Sequence, residues 1–173
     1  DDCDIIFLAL PHTTSMNQVP NFLKKNVKVI DLSADYRLKD PAVFEEWYAV
    51  PHQQPQLLKE TVYGLPEIHH EAIMSAQLVA NPGCYPTSII LALAPLMTEN
   101  WVDLSGIVAD SKSGISGAGR KASLNTQFSE ANEGVSAYQV ATHRHTPEIE
   151  QELSILANTD VQVSFTPHLI PMT

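Results

Sequence analysis

The chain has 173 residues, 44% of them apolar, and a formal net charge of −10 at pH 7. That length suffices for one substantial domain or two small ones. No apolar run approaches the roughly 18 residues of a membrane-spanning helix, and the acidic balance argues against nucleic acid or an anionic membrane surface as a partner.

The opening Asp1-Asp2-Cys3-Asp4 lacks the basic region of a signal peptide. It runs straight into apolar residues 5–10, which read as a buried strand. A helical spacing of Met16, Val19, Phe22 and Leu23 predicts a helix over 15–25, with Pro20 in its first turns or kinking it. A second buried strand follows at 27–32. Strand, helix and strand at this length predict a βαβ unit with a parallel sheet. Asp40 reads as an N-cap with Pro41 at N1 of a helix reaching Tyr48. Residues 50–64, with Pro51, Pro55 and three glutamines, read as a loop. A helix over 66–76 leads into a strand at 77–80. Strands are expected at 106–110, 137–142 and 161–165, and a loop or disordered stretch at 122–136. Thr146 reads as the N-cap of a further helix, with Pro147 at N1. The chain ends as abruptly as it begins, so it reads as an excised piece of a longer one. Loops become richer in glycine and serine after Cys84, which sets an expected boundary between domains 1–83 and 84–173.

Asn81-Pro82-Gly83-Cys84-Tyr85-Pro86-Thr87 is the most informative segment. It joins a strand to a buried helix, and Pro86 suits a first helical turn. Cys84 at a helix N-terminus meets unpaired N–H groups and the positive end of the helix dipole, which favour a thiolate. It is therefore a candidate nucleophile; the plain alternative is a small buried hydrophobe. Cys3 has no such setting, and two cysteines make no disulfide framework, so reduced thiols and an intracellular compartment are expected.

His143-Arg144-His145 is the second constellation. No nearby Cys, Asp or Glu completes a metal site with its two histidines. A histidine base for Cys84 is the functional reading, and a backbone-bonded polar residue ahead of a helix is the alternative. Third is Ser113-Gly114-Ile115-Ser116-Gly117-Ala118-Gly119-Arg120-Lys121, whose glycines imitate a dinucleotide fingerprint. That fingerprint belongs in the first βα turn of its domain. Here hydroxyls, bare N–H groups and a guanidinium suit a small anion instead. After Cys84 the only cations are Lys112, Arg120, Lys121 and Arg144, all in these two motifs, as if reserved for an anionic ligand. Arg37, in Asp31-Leu32-Ser33-Ala34-Asp35-Tyr36-Arg37 after a strand end, either reaches a ligand phosphate or pairs with Asp35.

These motifs, with Phe7-Leu8-Ala9-Leu10-Pro11-His12, Tyr63-Gly64-Leu65-Pro66 and Ser164-Phe165-Thr166-Pro167, run in the order of one family. The chain resembles the N-acetyl-γ-glutamyl-phosphate reductases, within the semialdehyde and glyceraldehyde-phosphate dehydrogenase group. The resemblance implies an α/β fold: the rear of a Rossmann-like NADP domain, then the first part of an α+β catalytic domain. It implies NADPH-dependent reduction of a small acyl phosphate to N-acetylglutamate 5-semialdehyde, in arginine biosynthesis, through a Cys84 thioester. It implies His143 as the acid/base, and Ser116, Gly117 and Arg120 gripping substrate, phosphate or the nicotinamide end. It places Pro11, His12, Ser33, Ala34 and, at the head of the loop, Gly114 with the cofactor. Arg37 and Arg144 join the substrate-binding set, and no metal is implied. A cytoplasmic location, or an organelle in a eukaryote, and a homo-oligomeric full-length enzyme are expected. The family's own glycine-rich turn does not precede Ile5, so the 173-residue chain is expected to turn over negligibly alone. Acetyl-aminoadipyl-phosphate and aspartyl-phosphate reductases are the alternatives within the group. A cysteine hydrolase and a non-catalytic dimerising fragment are alternatives outside it.

Overall fold

The computed structural model describes residues 3–99 and 101–173. It is an α/β structure of two compact units, Asp1–Ala92 and Leu93–Thr173.

In the first unit β1 (Ile5–Leu8), α1 (Ser15–Leu23) and β2 (Lys28–Asp31) form the expected βαβ unit, with β1 and β2 parallel. α2 (Pro41–Tyr48) begins where the sequence puts it. Asp40 caps it by accepting a 2.8 Å hydrogen bond from the Ala42 N–H, and Pro41 fills a position whose N–H would have had no partner. α4 (Pro66–Ser75) and β4 (Leu78–Ala80) also follow the sequence pattern. The sheet is wholly parallel, in the order β1-β2-β4-β3. Met16, Val19, Val29, Tyr36, Phe44, Leu58 and Ala80 are buried in its core.

One expectation here is corrected. Residues 50–64 are not all loop: α3 (Pro55–Glu60) and β3 (Val62–Tyr63) lie within them. Pro55 at the start of α3 was the overlooked local signal, and the helix is held by complete burial of Leu58. Among the described residues β1 lies at the edge of the sheet, with Ile5 48% and Phe7 67% exposed and Leu8 buried.

α5 (Cys84–Thr98) begins at the cysteine itself, four residues earlier than the apolar run suggests. In the second unit β5 (Ile107–Gly114) pairs in parallel with β7 (Val163–Ile170), and β6 (Ser136–Ala137) pairs antiparallel with β7. α7 (Thr146–Ala157) packs on β7, with Ile149, Leu153, Val163 and Phe165 buried. Along β5 and β7 burial alternates, as in a sheet with one solvated face.

Here too the structure departs from the pattern. β5 runs into the glycine-rich segment, which continues as a 3-10 turn, Ile115–Ala118. A short α6 (Phe128–Ala131) interrupts the stretch read as loop or disorder. Only the beginning of the strand expected at 137–142 forms, because Gln139 and Ala141 adopt positive φ and turn the chain. The N-cap of α7 is His145, one residue before Thr146, with Pro147 still in the first turn.

Candidate active site

Ligands of open α/β sheets bind beyond the carboxyl ends of the strands. In the first unit the loops that leave β1 and β2 meet there. His12 Nδ1 accepts the Ala34 N–H at 3.1 Å, so the predicted residues Pro11, His12, Ser33 and Ala34 do come together. Pro11 and His12 are exposed; Ser33 and Ala34 are buried.

Behind them lies a polar network that the sequence reading did not single out. Asp31 is fully buried and accepts from Ser15 Oγ at 2.6 Å, from Ser33 Oγ at 2.7 Å and from the Ser33 N–H at 3.1 Å. Burial raises its pKa, and the serine hydrogen bonds oppose that shift. Asp35, also fully buried, accepts from the Thr13 N–H at 2.6 Å and the Met16 N–H at 2.9 Å. Its carboxylate thus occupies the N-terminus of α1. His52 accepts from the Gln54 N–H on Nδ1 and contacts the Asp35 carbonyl through Nε2 at 2.7 Å, so its proton sits on Nε2. Desolvation lowers its pKa, which keeps the ring neutral beside Tyr36 and Phe44. The Asp-x-Ser-x-Asp spacing after a strand was the legible signal for this network.

Arg37 is 6% exposed, and its guanidinium donates to the carbonyls of Asn81 and Leu32. Cys84 is an exposed free thiol in the first turn of α5, and Cys3 is also free and exposed.

In the second unit His143 is buried, its ring edge-on to Tyr138, His145 and Phe165. Nδ1 accepts the His145 N–H at 3.1 Å, so the neutral ring carries its proton on Nε2, an assignment made from the hydrogen-bond pattern. Burial, and secondarily the positive charge of Arg144, lowers its pKa from 6.5 to about 4. A ring in this state donates from Nε2 near neutrality. Because its pKa is depressed on folding, His143 contributes stability that is complete above about pH 6.5. That contribution is lost as pH falls toward about 4. An NMR titration is therefore expected to find its ring protonating near 4, with the melting temperature falling across that window. A midpoint near 6.5 would contradict the buried geometry.

Ser116 lines a cavity of about 330 Å³ with Thr126, Phe128, Asn132 and Met172. Thr126 and Asn132 add polar groups that the sequence reading missed, because loop residues carry no periodicity. A Cβ at Gly117 would meet Ser113 Oγ at 2.7 Å, so a larger residue there would make the Ser113 side chain turn away. At Gly114 a Cβ would meet the Met172 carbonyl at 2.5 Å, so this glycine admits the chain's own backbone. Arg120 and Arg144 are exposed. Among the described residues no cluster of His, Cys, Asp and Glu is placed to hold a metal, and no helix is long and apolar enough to cross a membrane.

Comparison with known proteins agrees with this architecture. A 59% identical relative, N-acetyl-gamma-glutamyl-phosphate reductase of Syntrophobacter fumaroxidans, aligns over 99% of this chain and 50% of its own length. The chain thus spans about half the length of the curated relatives it matches. Aspartate semialdehyde dehydrogenase II from Vibrio cholerae shares the fold, with a TM-score of 0.67 at 18% identity over 97% of this chain and 52% of that one. A Candida albicans aspartate semialdehyde dehydrogenase solved with NADP gives 0.62 at 12% identity, over 98% and 48%. Residues 1–76 match the semialdehyde dehydrogenase NAD-binding domain and residues 84–173 the semialdehyde dehydrogenase dimerisation domain. The chain belongs to the semialdehyde dehydrogenase family.

Proposed function

We propose that this chain is part of an NADPH-dependent reductase that converts N-acetyl-γ-glutamyl phosphate to N-acetylglutamate 5-semialdehyde, in arginine biosynthesis. The observation that carries the reading is an exposed free thiol at the first residue of a 15-residue helix, at the end of a parallel sheet. The relative of that name at 59% identity supports the substrate.

In this reading Cys84 is the nucleophile. Its sulfur bonds to the acyl carbon, the bond from that carbon to the phosphate oxygen breaks, and phosphate leaves with the electron pair. NADPH, when bound, supplies the hydride that the thioester carbon accepts. The carbon–sulfur bond then breaks, returning the electron pair to Cys84 and freeing the aldehyde. His143 is the acid/base, and its Nε2–H supports the role of donor to the oxyanion that forms at each addition. Ser116, Gly117, Arg120 and Arg144 bind substrate or the departing phosphate. Pro11, His12, Ser33, Ala34 and Gly114 approach the cofactor. Residues 1–83 serve as the nucleotide-binding part and 84–173 as the catalytic part. The intact enzyme is a homo-oligomer, consistent with the dimerisation-domain match. It works on soluble metabolites in the cytoplasm.

Incubating the chain with N-acetyl-γ-glutamyl phosphate tests this without requiring turnover. The expected product is one acyl adduct, mapped to the Cys84 peptide, labile to hydroxylamine and formed together with free phosphate. Acylation at Cys3 instead, or none at either cysteine, would refute the assignment.

A further inference from the structure

The β2–β4 ladder ends where the Asn81 N–H donates to the Asp31 carbonyl at 2.8 Å. The Leu32 and Asn81 carbonyls lie beyond this last rung. Arg37 serves both: Nε donates to Asn81 O at 2.8 Å and an Nη2 hydrogen to Leu32 O at 3.1 Å. A planar fork with fixed donors suits two separate acceptors, whereas an ammonium presents a single point of attachment. The guanidinium is buried, so water does not compete for these bonds.

Asn81 is thereby held through its N–H and its carbonyl, and its side chain donates onward to the Pro82 carbonyl at 3.2 Å. Two residues later the Gly83 carbonyl accepts from both the N–H and the hydroxyl of Thr87, at 3.0 and 2.8 Å. Cys84 follows directly on a turn pinned at both ends, with Pro82 and Gly83 buried while its own side chain is exposed.

We propose that Arg37 is a positioning residue. It clamps the ends of β2 and β4 so that Cys84 is presented at the start of α5 with its sulfur in the field of the helix N-terminus. This assigns the guanidinium to the protein's own backbone rather than to a ligand phosphate, and it rests on the reading of Cys84 as the nucleophile.

Iodoacetamide labelling at pH 7, resolved peptide by peptide, tests the clamp, because Cys3 in the same chain is an internal reference. Access does not limit an exposed thiol, so loosening the turn acts through the lost helix-terminus field, worth about fivefold in rate. Arg37→Gln is expected to slow labelling of Cys84 by about that factor and to leave Cys3 unchanged, in a chain that still melts cooperatively. Arg37→Lys is expected to recover part of the rate, since an ammonium satisfies one of the two carbonyls. A purely structural role would give no such graded recovery. An unchanged or faster Cys84 rate in folded Arg37→Gln, or loss of the folded state in both variants, would overturn the clamp. If the unsubstituted chain labels Cys84 no faster than Cys3, the nucleophile reading fails and takes the clamp with it. If it labels Cys84 faster, that reading survives whatever the variants do.

Discussion

Cys84→Ser is expected to lower the rate of acyl transfer from N-acetyl-γ-glutamyl phosphate by at least about three orders of magnitude. A hydroxyl holds its proton far more tightly than a thiol, so the attacking anion is almost absent near neutrality. The helix N-terminus stabilises negative charge by too little to make up the difference. Oxygen also makes an ester, from which hydride acceptance and collapse are harder than from a thioester. The fold should not change: the side chain is exposed, and surface substitutions of this kind usually stay within about 0.5 kcal/mol. The measurement is the time course of covalent acylation, followed by intact mass, with melting temperature as the control. A serine variant that acylates within tenfold of the parent rate would rule out the proposed chemistry.

The second large effect concerns stability. Asp35→Ala removes the acceptor of the Thr13 and Met16 N–H groups at a fully buried position. Leaving a buried donor without a partner costs about 1–3 kcal/mol, and losing the anion at the α1 N-terminus adds about 0.3–1 kcal/mol. Counted for both N–H groups the sum is about 2–7 kcal/mol, a large share of the roughly 5–15 kcal/mol that holds a domain together. Thr13 sits at φ 69° and has little intrinsic reason to stay there once its N–H is released. Asp35→Asn keeps an acceptor oxygen but gives up the charge, so it should lose about half as much. Urea unfolding followed by Trp47 fluorescence reads both variants, and a loss below about 1 kcal/mol in Asp35→Ala would show that water replaces the carboxylate without cost.

The two effects differ in how far they were legible. Cys84 at a helix start follows from neighbours in the chain: a proline suited to the first turn, a glycine before it, and a short strand ahead. The Asp40 cap and the start of α2 follow in the same way from adjacent residues. Local signals of this kind survive because capping and proline φ are decided within one turn of backbone.

Asp35 was no more than an acidic residue in a motif, because its two partners lie 22 and 19 positions earlier. Arg37 reaches across 44 positions to Asn81, and no pattern of residue types distinguishes a guanidinium meant for a carbonyl from one meant for a phosphate.

From the sequence alone came the α/β class, the parallel βαβ unit, the helix that begins at Cys84 and the order of motifs that marks the family. The tertiary structure alone decided that Asp35 fills the α1 N-terminus, that Arg37 serves backbone carbonyls, and that Tyr138 and Phe165 enclose a neutral His143. The division has one cause. Backbone preferences are set by near neighbours, whereas burial, and the partner that a buried polar group must find, depend on residues brought close only by folding.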